Sequence, residues 1–173
     1  MSNDLRIAIS GQSGCGNTSV SRIVAARLGL RLINYTFKDL AREKGMSFDE
    51  ICEKAESDSQ YDLTIDNRQE ELSRHGRCVL GSRLAIWLLR DSALTVYLAA
   101  GPEARAARIA AREGVPFAAA LEKTVARDRR DHGRYLRLYG FDIDRYEFAQ
   151  LIIDAESLDQ EAVAERIIAR ALA

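Results

Sequence analysis

A chain of 173 residues suits a single domain and can bury a sizeable core. Basic and acidic side chains, 25 against 26, leave a formal charge of −1, which argues against nucleic acid as a partner held by a general basic surface. Apolar residues at 47% and aromatic residues at 7% fit an alanine-rich, helix-heavy soluble protein, and with no apolar run of transmembrane length a membrane partner is not expected.

Residues 1–5 lack the form of a signal peptide. An apolar run at 5–10 reads as a strand, and an amphipathic run at 20–28 reads as a helix. Between them lies Gly11-Gln12-Ser13-Gly14-Cys15-Gly16-Asn17-Thr18-Ser19. Strand, glycine-rich loop and helix start in this order make a phosphate-binding loop. Gly11, Gly16 and Thr18 fall in frame with the pattern G-x-x-x-x-G-K-[ST], and Asn17 stands where that pattern has lysine. The glycines let backbone N–H groups close on phosphate oxygens, the helix start adds positive potential, and the Thr18 hydroxyl suits Mg²⁺. Asn17 can donate a hydrogen bond but adds no charge, so binding can survive the change while phosphoryl transfer needs another cation. Cys15 sits near a helix start, a setting that lowers a thiol pKa. It is either a reactive thiol or, the reading favoured here, a small residue that fills the loop. With Cys52 and Cys78 it makes an odd, unpatterned set, which speaks against disulfides or a zinc site and for a reducing cytoplasm.

Residues 30–34 read as a second strand, and 37–44 as a helix stopped by Gly45. Ser47 and Glu50 have capping-box spacing for the next helix. A longer polar helix is expected from about 59 to 75, ended by Gly76. On it Asp62 and Asp66 share a face with Arg68 close behind, a pattern that a solvated surface would also give. Residues 77–81 read as a third strand and 84–89 as a short apolar helix in which Trp87 belongs to the core. Arg83, just past a buried parallel strand, sits at the ligand edge of the sheet, where a guanidinium can grip a phosphate. Residues 94–99 are apolar enough for a central fourth strand.

Two arginine-rich helices follow at 103–113 and 117–138, with Pro102 and Pro116 each placed in a first turn. Arg105, Arg108 and Arg112 form one stripe, either an exposed face or one turned to phosphate. Arg127, Arg130, Asp131 and Arg134 share a face of the second helix. Three guanidiniums against one carboxylate leave surplus positive charge, which suits a lid over phosphates better than a solubility face. His75 and His132 are not spaced as ligands or as a catalytic pair. Residues 149–154 read as a fifth strand, and an amphipathic helix closes the chain. Strands alternating with helices predict an α/β fold, a five-stranded parallel sheet flanked by helices, with its ligand crevice at the carboxyl ends of the strands.

In this combination the chain resembles the cytidylate kinases, and among them the compact archaeal-type group of P-loop nucleoside-monophosphate kinases. The resemblance runs almost end to end. It takes in the phosphate loop, Phe37-Lys38 with Lys44-Gly45-Met46, Asp62 with Asp66 and Arg68, and Ser82-Arg83-Leu84-Ala85 with Trp87. It continues through Arg105-Ala106, Arg108-Ile109-Ala110 and Arg112-Glu113, then Arg127-Asp128 with Asp131 and Arg134, to Tyr135, Tyr139 and Asp142-Ile143-Asp144. The resemblance implies one P-loop kinase domain over 1–173, with a core at 1–35, 77–101 and 149–173, an NMP-binding segment at 36–76 and lid helices at 102–148. It implies Mg²⁺-dependent transfer of the ATP γ-phosphoryl group to CMP or dCMP by a cytoplasmic monomer. ATP contacts would come from Gly11, Ser13, Gly14, Cys15, Gly16, Asn17, Thr18 and Ser19, with Thr18 on the metal. Substrate contacts would come from Lys38, Asp66, Arg68, Arg83, Arg127, Asp131 and Arg134, and catalytic roles would fall to Arg130, Arg108 and Asn17. Three positions depart from the family pattern: Asn17 for lysine, Lys38 for arginine, and Gly81 for an acidic residue before Ser82-Arg83. Two other readings stay open, a P-loop kinase for another small acceptor and a catalytically weak nucleotide-binding pseudo-kinase. The surplus lid arginines speak against the second.

Overall fold

The structure, a computed structural model, describes residues 4–173, and residues 1–3 of the opening stretch lie outside the described residues. Five strands, β1 (Arg6–Gly11), β2 (Arg31–Ile33), β3 (Cys78–Gly81), β4 (Leu94–Ala99) and β5 (Leu151–Asp154), pair in parallel in the order β2-β3-β1-β4-β5. Among the described residues eight helices follow the strands singly or in runs: α1 (Asn17–Leu28), α2 (Phe37–Lys44), α3 (Phe48–Ser57), α4 (Gln60–Ser73), α5 (Ala85–Leu88), α6 (Pro102–Glu113), α7 (Phe117–Tyr139) and α8 (Gln160–Leu172). Among the described residues no helix is long and apolar enough to cross a membrane.

β1 lies at the centre of the sheet, so both its faces are covered and its apolar run is continuous. Strand alternation sends Ile7 and Ile9 to one face, against Val20 and Val24 of α1 and Val163 and Ile167 of α8. Ala8 faces the other side, with Leu80, Ile86 and Tyr97. Each fully buried aliphatic side chain here contributes about 1.5–3 kcal/mol. Trp87 belongs to this second face, edge-on to Tyr97 and Phe148, as expected of a core residue.

Helices α2, α3 and α4 fold around a small core of their own, built from Tyr35, Leu40, Ala41, Ile51 and Ile65. The Gln69 amide, 2.8 Å from the Tyr35 carbonyl, ties this unit to the end of β2. Ser47 and Glu50 close the expected capping box. Thr36 and Asp39 close a second one at the start of α2, unforeseen because Asp takes the place of the usual Glu.

Several boundaries differ from expectation by a few residues, α1 starting at Asn17 and β5 at Leu151 among them, and three have a local cause. α4 ends at Ser73 because the turn takes two left-handed residues, Gly76 (φ 66°) and Arg77 (φ 45°), before β3 can begin. α5 keeps four residues, with Leu84 and Leu89 as its caps. Pro116 is the N-cap of α7 rather than a first-turn residue, since its ψ of 140° is extended.

β1 sits between β3 and β4, so the chain departs to opposite sides of it. The carboxyl ends of β1, β3 and β5 open on one edge, the crevice where such sheets bind ligands.

Candidate active site

The loop between β1 and α1 forms one wall of a cleft of about 880 Å³. Gly11, Ser13, Gly14, Cys15, Gly16, Asn17, Thr18 and Ser19 all line it, as expected. Gly14 (φ 86°) and Gly16 (φ 97°) take left-handed conformations that side chains rarely adopt, and a Cβ on Gly14 would lie 2.9 Å from the Arg105 carbonyl oxygen. No side chain caps α1 and no acidic residue sits in its first turn. The first backbone bond of the helix is Val20 N–H to the Gly16 carbonyl, so the N–H groups of Thr18 and Ser19 are left to face an anion in the cleft.

Asn17 does not stand in for the missing lysine as a phosphate donor. Its amide nitrogen donates to the Ile9 carbonyl at 2.9 Å and the Ser82 carbonyl at 3.4 Å, and its oxygen accepts from Ser21 Oγ at 2.9 Å. The side chain therefore staples the ends of β1 and β3 together beneath the loop. Gly81 belongs to the same arrangement. A Cβ there would meet Ser21 Oγ at 2.3 Å and Asn17 Oδ1 at 3.1 Å, so the acidic residue that the resembled pattern has here would find no room beside them.

Cys15 is buried in the core under the loop, and burial pushes its thiol pKa up, against smaller opposite effects from the Asn17 backbone and Arg83. The lowered pKa expected from the helix start is thus overturned, and the residue fills the loop.

Positive charge shares the cleft with the cradle, where Arg83, Arg108, Arg112 and Arg127 are also among the lining residues. Arg108 is anchored by donating to the carbonyls of Ala155 and Glu156, just beyond β5. Arg105, grouped with these by spacing, has a different part. It is 1% exposed, donates to the Ala100 carbonyl at 3.0 Å and the Ser13 carbonyl at 3.2 Å, and forms a two-pronged pair with Asp128 at 2.7 and 3.3 Å. One buried guanidinium joins the phosphate loop, α6 and α7.

Beyond Arg83 a chain of charged groups leads away from the cleft. Arg83 pairs with Asp131, Asp131 pairs with Arg134 at 3.1 Å, and Arg134 reaches Asp62 on α4 at 3.4 Å. One turn along α4, Asp66 accepts from the Tyr139 hydroxyl. Asp66, Arg83, Asp131 and Arg134 are therefore brought together, with Arg127 at the cleft end. Lys38, Arg68 and Arg130 do not line the cleft. Lys38 is exposed over the Phe48 ring at 5.7 Å, Arg68 pairs with Glu71 at 2.7 Å on the surface, and Arg130 is exposed on α7. Spacing alone missed Asp62 as the partner of Arg134, and missed His132. That ring lies 2.9 Å from Asp144 and 3.6 Å from Asp142, and Asp142 also pairs with Arg145 at 3.3 Å. A turn after α7 folds the two aspartates back onto it, which no linear spacing reveals.

Burial pushes the Asp66 carboxyl up from its ordinary value of 3.8 to about 6, with Asp62 adding to the shift while Tyr139 and Arg134 oppose it. A raised folded-state pKa means the folded protein holds this proton more tightly than the unfolded chain. The contribution to stability is complete below about pH 4 and is lost as pH rises through about 6, up to about 3 kcal/mol by pH 7.5. Asp66→Asn is therefore expected to be more stable than the parent at pH 7.5 and to lose that advantage at pH 4, as read from urea unfolding at both values.

A parallel sheet in this order, a glycine loop leading into an uncapped helix, and arginines lining the same cleft define a P-loop kinase. The fold matches shikimate kinase from Bacteroides thetaiotaomicron with a TM-score of 0.69 over 98% of this chain and 99% of that one, at 16% identity. Residues 6–157 match the cytidylate kinase-like family, and the chain belongs to it. It is 45% identical over 167 residues to cytidylate kinase 2 of Borreliella burgdorferi, covering 94% of this chain and 93% of the relative. It is 38% identical to the cytidylate kinase of Archaeoglobus fulgidus over 167 residues, covering 95% and 93%. The protein is accordingly an enzyme, a phosphotransferase of the nucleoside-monophosphate kinase type.

Proposed function

We propose that the protein is a cytidylate kinase, transferring the γ-phosphoryl group of ATP to CMP or dCMP to give ADP and CDP or dCDP. The observation that carries this reading is the convergence of Arg83, Arg108, Arg112 and Arg127 on the cradle at the start of α1. In phosphoryl transfer the protein's work is positioning and charge stabilisation, and these arginines supply the charge that the loop lacks at Asn17. Gly11 through Ser19 hold the donor phosphates. Arg108, fixed beside the loop, faces the transferring group. Arg83 and Arg127 take the acceptor phosphate, with Asp131 and Arg134 extending the acceptor site toward α4.

The donor set fits Mg²⁺, an ion that keeps several waters and takes phosphate oxygens with one or two protein ligands. Thr18 lines the cleft, and its hydroxyl makes no hydrogen bond within the described chain. Thr18 would hold the ion, which would neutralise charge on the donor phosphates. The three arginines at the acceptor end orient the substrate and exclude competing water when α6 and α7 close over both nucleotides. We place the enzyme in the cytoplasm, in keeping with an odd, unpatterned set of three cysteines, and read it as a monomer.

The test offers ATP with Mg²⁺ and, in turn, CMP, dCMP, UMP, AMP and GMP, and follows ADP release. Preference for CMP or dCMP is the expected result. Preference for another acceptor selects a different small-molecule kinase, and nucleotide binding without ADP release selects a binding protein that has lost turnover with its lysine.

A further inference from the structure

His132 on α7 meets the turn that follows the helix, where Asp142 and Asp144 fold back onto it. Its Nδ1 lies 2.9 Å from Asp144 Oδ2 and 3.6 Å from Asp142 Oδ1. That nitrogen is buried, yet it makes no hydrogen bond to either oxygen. The ring stands close to both carboxylates without the alignment that an N–H···O bond requires. A buried nitrogen left in this way is costly, and something other than a direct hydrogen bond must complete it.

The spacing fits a shared ion. A metal held at about 2.1 Å from each donor sets neighbouring ligand atoms about 3.0–3.4 Å apart, at right or tetrahedral angles. The two nitrogen–oxygen distances bracket that range, and all three ligand atoms lie within 4.8 Å of one another. Each donor also stays available. Arg145 takes the other oxygen of Asp142, Oδ2, at 3.3 Å. The Asp144 N–H donates to Asp142 Oδ1 at 3.1 Å, which steadies that oxygen and leaves it a second lone pair. The Asp144 side chain is 60% exposed, so its carboxylate can turn to an ion and water can fill the remaining positions. Among the described residues no other group of three or more His, Cys, Asp or Glu side chains comes together in this way.

We infer that His132, Asp142 and Asp144 bind a divalent transition-metal ion, Zn²⁺ in the first place, at a site separate from the Mg²⁺ position proposed at Thr18. One imidazole nitrogen with two carboxylate oxygens is a donor set that suits zinc. Mg²⁺ takes oxygen donors and gives up its water reluctantly, so it gains little from the ring. None of the three residues lines the cleft. A bound ion would clip the turn at 142–144 onto α7. His132 directly follows Asp131, the buried partner of Arg83, so the clip lies beside the chain of charged groups that leads to the cleft.

The test strips the protein with a chelator and titrates it with Zn²⁺ at pH 7.5 against a chromogenic competitor, with thermal unfolding followed in parallel. The expected result is one Zn²⁺ per chain, a Tm that rises with zinc, and binding that excess Mg²⁺ does not displace. His132→Ala is expected to weaken zinc binding at least about tenfold. His75→Ala, which changes the other histidine, should bind zinc as the parent does. A second arm needs no variant to fold: zinc should shield His132, and not His75, from diethyl pyrocarbonate, as read by peptide mass. A wild type that binds no zinc, or that loses it to Mg²⁺, overturns the assignment. So does a folded His132→Ala with the parent affinity, or a His132 that reacts as fast with zinc as without it. The three side chains would then form an ion pair only, and the kinase reading would stand.

Discussion

Arg105→Ala is expected to destabilise the protein by about 3–5 kcal/mol, the range for breaking a buried ion pair from one side. The cost does not come from losing the pair's net energy, which desolvation largely cancels. It comes from what remains: Asp128 with its partner gone, and the Ser13 and Ala100 carbonyls without their donor. A domain of this kind has about 5–15 kcal/mol of stability in all, so the variant should unfold at markedly lower denaturant. Removing Asp128 as well should return part of the loss, because the uncompensated carboxylate goes with it. A double variant no more stable than Arg105→Ala would show that the damage lies in the loop and not in the stranded charge. Whatever folded protein remains should bind ATP more weakly, since Ser13 belongs to the phosphate cradle that Arg105 holds down.

Arg83→Ala is expected to lower kcat/KM by about 10²–10³, the scale for deleting one preorganised donor at a site of developing charge. Arg83 lines the cleft and pairs with Asp131, so its loss would remove the proposed acceptor-phosphate contact and leave Asp131 without this partner. ATP affinity, measured by equilibrium binding, should stay near the parent value because the cradle is untouched. Arg83→Lys should recover little: a lysine restores the charge but not the fork that can hold Asp131 and a phosphate together. Unchanged turnover in Arg83→Ala would remove this residue from the acceptor site.

Much of the architecture can be read along the chain because its periodicities are local. The strands at 94–99 and the helix at 37–44 are bounded by residues that act on their own neighbours, such as Gly45. The phosphate loop is equally legible, since its function depends on backbone conformation at Gly14 and Gly16. The acceptor half is not. Arg105 and Arg108 are three residues apart on one helix, yet one is a buried brace and the other a cleft residue. The difference is made by Ser13 and Asp128, which are distant in sequence. Asp62 and Asp66 are equivalent in any helical projection, and only the position of Tyr139 decides which keeps an open oxygen. Spacing along a helix shows which side chains share a face; it does not show what that face meets.

The staple formed by Asn17, Ser21 and Gly81 bears on how this protein can change. Lysine at 17 would strand Ser21 Oγ and release the ends of β1 and β3, while an acidic residue at 81 would collide with Ser21. Each single change toward the family pattern at 17 or 81 is expected to be uphill, and the effects will not add because the three residues touch. The missing lysine is therefore one term of a three-position block, and exchanges at 17, 21 and 81 are expected to be tolerated better together than singly. With no cation at 17, the positive charge of this cleft is set by Arg83, Arg108, Arg112 and Arg127, and the loop is free to serve as a structural tie as well as a cradle.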